Sequence, residues 1–235
     1  MGETQRTRFA GDFYRIGFED MDFSYLLEPY NDLVEKADQS FQRMESEFAE
    51  CVKCAPHCAD CCHAVFGLFL IEAVFLKHDF DQLGEDKRMA ALKRADEAAR
   101  ELEVLERTLK EFEGDPQMSA YSMARARIRC PLLDDNDECI LYPYRPITCR
   151  VYGIPTMIQG APRVCGKAGF KKDQSYPTFN IDGAHHELYD LSKNLLESAG
   201  GDTEKALYLH SIAKVIKTPV EEMIGENPGG SGIKN

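Results

Sequence analysis

Two long stretches of the chain repeat their hydrophobic residues at the spacing of a helix face. In the first, Leu27, Tyr30, Val34, Ala37, Phe41, Met44 and Phe48 step by three and four, which puts them on one side of a helix. In the second, over 85–113, Met89, Leu92, Ala95, Ala99, Leu102, Leu105, Leu109 and Phe112 do the same among Lys, Arg, Glu and Asp. Both stripes have coiled-coil-like spacing, so these helices are expected either to pair antiparallel or to form a homodimer through the same faces. Between them the apolar run 64–76 predicts a buried helix around Leu70, Val74 and His78, with a short strand at 65–69 as the alternative for its start.

Beyond the second stripe, Gly114, Asp115 and Pro116 break the chain, and a short helix is expected over 117–126. Leu188, Leu191, Leu195 and Leu196 predict a helix over 182–198. Asp202 or Thr203 caps the next, which carries Ala206, Leu207, Leu209, Ile212, Ala213 and Ile216. Thr218, Pro219 and Glu221 have the spacing of a capping box for a last short helix ending near Ile224. Residues 130–172, rich in proline and glycine, read as loops. Residues 1–22 read as an irregular arm, and 225–235 as a flexible tail. The fold class predicted is mainly α: a helical scaffold with long amphipathic helices around a loop-rich cysteine core. The domain is expected to span 1–224, with a helical insertion at about 64–127.

Composition narrows the function. Hydrophobic residues at 43% and charged residues at 29% are ordinary for a soluble globular protein. A net charge of −12 and a pI near 5.0 disfavour nucleic acid, whose binding needs a basic face. The N-terminal stretch does not read as a signal, and the run 64–76 carries Glu72 and is too short to span a bilayer. A cytoplasmic protein with no membrane contact is therefore expected. There, thiols are kept reduced, and clustered cysteines point to metal ligation rather than disulfides.

The nine cysteines fall into two segments. Cys51, Cys54, Cys58, Cys61 and Cys62 lie in the first, and Cys130, Cys139, Cys149 and Cys165 in the second. Thiolates are soft anionic ligands suited to zinc and iron–sulfur centres, and spacings of two or three residues let neighbouring sulfurs face one metal. Cys62 is expected to point away from Cys61. Arg145 and Arg150 are candidate cofactor-binding groups that hydrogen-bond the sulfurs of a negatively charged centre, or else bond loop carbonyls. His57 and His63 are alternative ligands. Tyr142, Tyr144 and Tyr152 read as packing, Asp134, Asp135, Asp137 and Glu138 as a solvated acidic turn, and His185 and His186 as surface residues. No Ser–His–Asp set, phosphate-binding glycine loop or HExxH motif is visible, so no catalytic residue is assigned.

Cys58-Ala-Asp-Cys61-Cys62, followed by Cys130-Pro-Leu-Leu, Cys139-Ile-Leu-Tyr, Arg145-Pro and Cys149-Arg-Val-Tyr, resembles the CxxCxxCC family of zinc- or iron-chelating proteins, also called YkgJ-type cysteine-cluster proteins. The likeness spans roughly 51–165. It departs from the family pattern in one place, since Cys54 stands four positions before Cys58 and not three, leaving Cys54 or Cys51 as first ligand. Cys165 takes the place of the family's late cysteine. The resemblance implies an iron–sulfur or zinc centre. The leading expectation is a [4Fe-4S] protein in electron transfer or an oxidoreductase, with an unknown protein or redox partner. The alternatives are a structural zinc module and, through a related domain in flagellin lysine methylases, an enzyme modifying protein side chains. Cys54, Cys58 and Cys61 also have the spacing of radical S-adenosylmethionine enzymes, but a helical chain cannot build the barrel those enzymes use.

Overall fold

A computed structural model describes residues 24–225; the expected N-terminal arm and the tail beyond 225 lie outside the described residues. The chain is mainly helical, as its periodicity predicts. Helix α1 (Ser24–Glu47) buries Leu26, Tyr30, Leu33, Ala37 and Met44, so the expected stripe is offset by a residue at its start. Leu27, Val34, Phe41 and Phe48 flank it, partly buried.

The apolar run resolves into an extended entry followed by α2 (Leu70–Asp81). Only single backbone bridges, Ala64 to Arg127 and Leu68 to His210, mark the entry, so the alternative strand at 65–69 does not form. Leu70, Ile71, Ala73, Val74, Phe75 and Leu76 are all buried. Each large side chain among them contributes about 1.5–3 kcal/mol of burial, and α2 forms the centre of the core. Tyr30 stacks on Phe75 at 4.6 Å between ring centroids. Ser192 accepts from Ile71 N at 3.1 Å and donates to Leu188 O at 2.8 Å, tying α2 to α6 (Ile181–Ser198).

Helix α3 (Glu85–Glu111) is followed by α4 (Pro116–Arg125), capped by the Asp115 carboxylate accepting from Met118 N. The buried face of α3 is Ala91, Ala95 and Ala98. It is not the larger-residue stripe expected: Met89 is 60% exposed, and Leu92 and Leu102 are only partly buried. Nor do the two long helices pair. The main partners of α1 are α5 (Ile147–Val151) and α6, and those of α3 are α4 and α7 (Ile212–Val215). Small alanines form the inward face of α3, and the contact with α7 stands where the pairing with α1 was expected.

A three-stranded sheet begins in the predicted loop region with β1 (Thr156–Ile158) and β2 (Ala161–Arg163) and is completed beyond it by β3 (Phe179–Asn180). β1 pairs antiparallel with β2, Met157 opposite Pro162, and parallel with β3, Thr156 opposite Phe179. Gln159 and Gly160, both at positive φ, make the two-residue turn. The Asp182 carboxylate accepts from both of their amides and fixes the hairpin to the start of α6.

The expected helix after Asp202 is broken into a 3₁₀ turn (Thr203–Leu207) and α7. The backbone of His210 exchanges two 2.8 Å hydrogen bonds with that of Leu68, and no helix can continue through such a pair. Gly67 makes the approach possible, since a Cβ there would stand 2.5 Å from the Leu209 Cβ. The last helix, α8 (Val220–Gly225), packs against α2.

Candidate metal centre

Backbone pairing assembles the two cysteine segments. After α1, Cys51 N bonds Phe48 O in a closing turn, and a 3₁₀ turn (Cys61–His63) follows. Cys130 N then bonds Cys62 O at 2.7 Å, and Ile128 N bonds His63 O at 3.0 Å. Cys139 reaches Cys130 through a small hairpin: Leu133 pairs with Cys139, and Ile140 N bonds Leu132 O. The acidic turn at its tip is held by the Asp134 carboxylate, which accepts from Asn136 N and Glu138 N, each at 2.9 Å. Cys149 rides on α5, whose first amide, Ile147 N, donates to the Glu72 carboxylate at 2.9 Å.

Five thiols, those of Cys61, Cys62, Cys130, Cys139 and Cys149, line one half-open, largely apolar pocket of about 60 Å³. Its walls include Phe66, Leu102, Ile128 and Ile212, and Arg129 and Arg145 also border it. The Cys61 and Cys62 sulfurs are 3.9 Å apart and face the same space, correcting the expectation that Cys62 points away. Either thiol can donate in this contact, and the shared hydrogen bond moves the two apart: Cys61 is held down to about 7, and Cys62 is pushed up. Burial pushes Cys130 up to about 12 and raises Cys139 and Cys149, with crowding by neighbouring thiols adding to each. Protons sit on Cys62, Cys130, Cys139 and Cys149 at neutral pH until a cation displaces them.

A second group, Cys54, Cys58 and Cys165, does not line that pocket. Burial and then the neighbouring Cys58, Cys165 and Cys61 push Cys54 up to about 11. The Cys54 thiol lies 3.6 Å from Tyr152 O. The Cys165 thiol donates to Asp60 Oδ2 at 3.3 Å, and Tyr152 Oη donates to the same oxygen at 3.1 Å. The other oxygen, Oδ1, takes Arg127 at 2.9 Å and Lys167 at 3.6 Å. Burial opposes ionisation of Asp60, but the Cys165 and Tyr152 hydrogen bonds and the two cations outweigh it and hold the carboxyl below its usual range.

The remaining candidates, Arg145 at the pocket border among them, make other contacts. The Cys51 thiol lies 3.6 Å from the Glu50 carboxylate, and its carbonyl accepts from Gly169 N at 2.7 Å. Arg150 is buried and turned to Asp38 at 2.7 Å and to the carbonyls of Arg145 and Pro143. Arg145 stacks over the exposed Tyr142 ring at 3.9 Å. His57 Nδ1 meets Asn136 O at 2.8 Å, and His63 Nδ1 meets Ala59 O at 2.9 Å. His185 is half-buried against Phe69, whereas His186 is exposed beside Asp190. Asp60, Glu72, Arg127 and Arg129 were not singled out by the sequence reading; the available signals were an acid set between Cys58 and Cys61 and a lone acid in an apolar run.

Among the described residues no three His, Cys, Asp or Glu side chains form a group preset to hold an ion. Turning a cysteine between staggered rotamers moves its sulfur by about 3 Å. The donor chemistry, soft thiols converging from two segments, fits zinc or an iron–sulfur centre. Residues 53–166 match the CxxCxxCC family, described as a putative zinc- or iron-chelating domain. The match includes Cys54 and Cys165 and begins after Cys51. No curated protein and no solved structure is significantly similar to the chain. Among the described residues, no helix is long and apolar enough to cross a membrane.

Proposed function

We propose that this chain, which carries a zinc- or iron-chelating CxxCxxCC domain, holds a [4Fe-4S] cluster in its inner thiol pocket and serves electron transfer or an oxidoreductase. The supporting observation is the set of five thiols lining a single, largely apolar pocket bordered by Arg145. Cys62, Cys130, Cys139 and Cys149 are the assigned ligands. When bound, such a cluster supplies one-electron chemistry whose potential depends on burial, charge and hydrogen bonds to sulfur. Arg145 supplies positive charge beside Cys61 and Cys139, while Phe66, Leu102 and Ile128 limit access of water to the sulfurs. Glu72 fixes the start of the helix that carries Cys149. The redox partner is a protein of unassigned identity.

Anaerobic purification followed by iron, zinc and acid-labile sulfide analysis, with an absorption spectrum, tests this reading. Iron and sulfide in equal amounts with a thiolate-to-iron charge-transfer band is the expected result. Zinc without iron or sulfide, even after reconstitution, overturns it. A structural zinc site is the second reading, favoured by thiols that join two segments otherwise tied by few backbone bonds. It predicts a colourless protein that loses structure with a chelator; a reversible one-electron signal from the centre counts against it.

A further inference from the structure

The inner pocket leaves four thiols unused, Cys51, Cys54, Cys58 and Cys165; Cys51 lies against Glu50, whereas Cys58 and Cys165 neighbour Cys54, and Cys165 bonds the Asp60 carboxylate. Donor separations decide whether such a set can serve a metal. With zinc–sulfur and zinc–oxygen bonds of about 2.3 and 2.0 Å, a tetrahedral ion separates a sulfur from an oxygen by about 3.5 Å and two sulfurs by about 3.8 Å. Cys165 Sγ and Asp60 Oδ2 are 3.3 Å apart. This pair already has the spacing of two ligands on one ion, and neither residue lines the inner pocket.

Asp60 is built to offer one oxygen. Oδ1 is occupied by Arg127 and Lys167, while Oδ2 faces Cys165 and Tyr152. Hydrogen bonding at the far oxygen is how metal-binding carboxylates are commonly oriented. The Asp60 side chain is only 16% exposed. Cys54 is seated nearby by Gly153, which has φ +105° and whose missing Cβ leaves the space that the Cys54 sulfur occupies.

Resting on the reading of this chain as a metal-binding protein, we propose a second, outer centre in which Cys54, Cys58 and Cys165, with Oδ2 of Asp60, bind a zinc ion. The inner centre keeps Cys62, Cys130, Cys139 and Cys149, with Cys61 a fifth thiol of the same pocket. A zinc ion held there would take the three cysteines as thiolates, their protons released to solvent, and would stand in place of the Cys165–Asp60 hydrogen bond.

The test is titration of the reduced, metal-free full-length protein with zinc alone, read by bound-metal analysis and by X-ray absorption at the zinc edge. The wild type is expected to bind two equivalents, and Cys54→Ser/Cys165→Ser one. Asp60→Ala is expected to weaken only the second equivalent, by about tenfold or more, with loss of the oxygen scatterer near 2.0 Å. Asp60→Asn, which keeps the shape, reports the effect of the charge, and circular dichroism establishes that each variant is folded. A single equivalent in the wild type, or two equally tight equivalents in the Asp60→Ala and Cys54→Ser/Cys165→Ser variants, overturns the outer centre while leaving the metal-binding reading intact. A wild type that binds no zinc and no iron overturns both.

Discussion

Glu72 is 3% exposed and accepts from two backbone amides, Phe69 N at 3.2 Å and Ile147 N at 2.9 Å, on separate segments. Replacing it with alanine strands both donors inside the core, at a cost of about 2–5 kcal/mol read by denaturant unfolding. Burial raises the Glu72 carboxyl to about 7, against the stabilising pull of those amides. A carboxyl raised on folding favours the native state most below its unfolded value near 4.5, and that contribution is lost as pH rises through about 7. The metal-free protein is thus expected to lose stability between those values, and Glu72→Gln should flatten the slope. At Gly153, alanine meets both a left-handed backbone and the Cys54 sulfur. Gly153→Ala should lower zinc content as well as Tm, whereas Gly160→Ala, at φ +68° with nothing within 4 Å, should lower Tm alone. Metal analysis beside thermal melts separates the two. Thiol spacing made the cysteines conspicuous in the sequence. Glu72 and Asp60 were harder to recognise, because a lone acid shows its role only when distant amides and cations are folded onto it.

At the scale of elements, the inward face of α3 is a seam of alanines, Ala91, Ala95 and Ala98, buried at 0%, 0% and 4% exposure, and α7 is a main partner of this helix. Ala95→Leu inserts three carbons into this seam and should cost about 1–3 kcal/mol, whereas Met89→Lys on the exposed side should stay within about 0.5 kcal/mol. Equilibrium unfolding of the two variants checks the assignment of faces. Helical periodicity revealed α1, α3 and α6 to within a few residues, because long amphipathic runs carry their own signal. It did not reveal their partners. Alanine scores as weakly apolar, so the face that packs most closely looked less hydrophobic than its neighbours Met89 and Leu92. The break before α7 was equally hidden, since the cause lies in the Leu68 backbone and not near His210 in sequence.

For the molecule as a whole, the cysteine segments sit on opposite sides of the sequence that supplies the centre of the core. Removing metal should therefore loosen the 130–165 region first, seen as faster amide exchange there than in α2. Metal affinity should fall toward acid pH, because raised thiols such as Cys130 and Cys54 must give up protons to bind. The bond from Cys130 N to Cys62 O has a further consequence during synthesis. A ribosome adding roughly 5–20 residues per second releases the first five cysteines several seconds before it makes Cys130. Through that interval the nascent chain displays half a chelator, open to premature capture of a stray ion or to oxidation. Correct loading has to follow translation, and the order in which the chain emerges becomes a determinant of which metal it keeps.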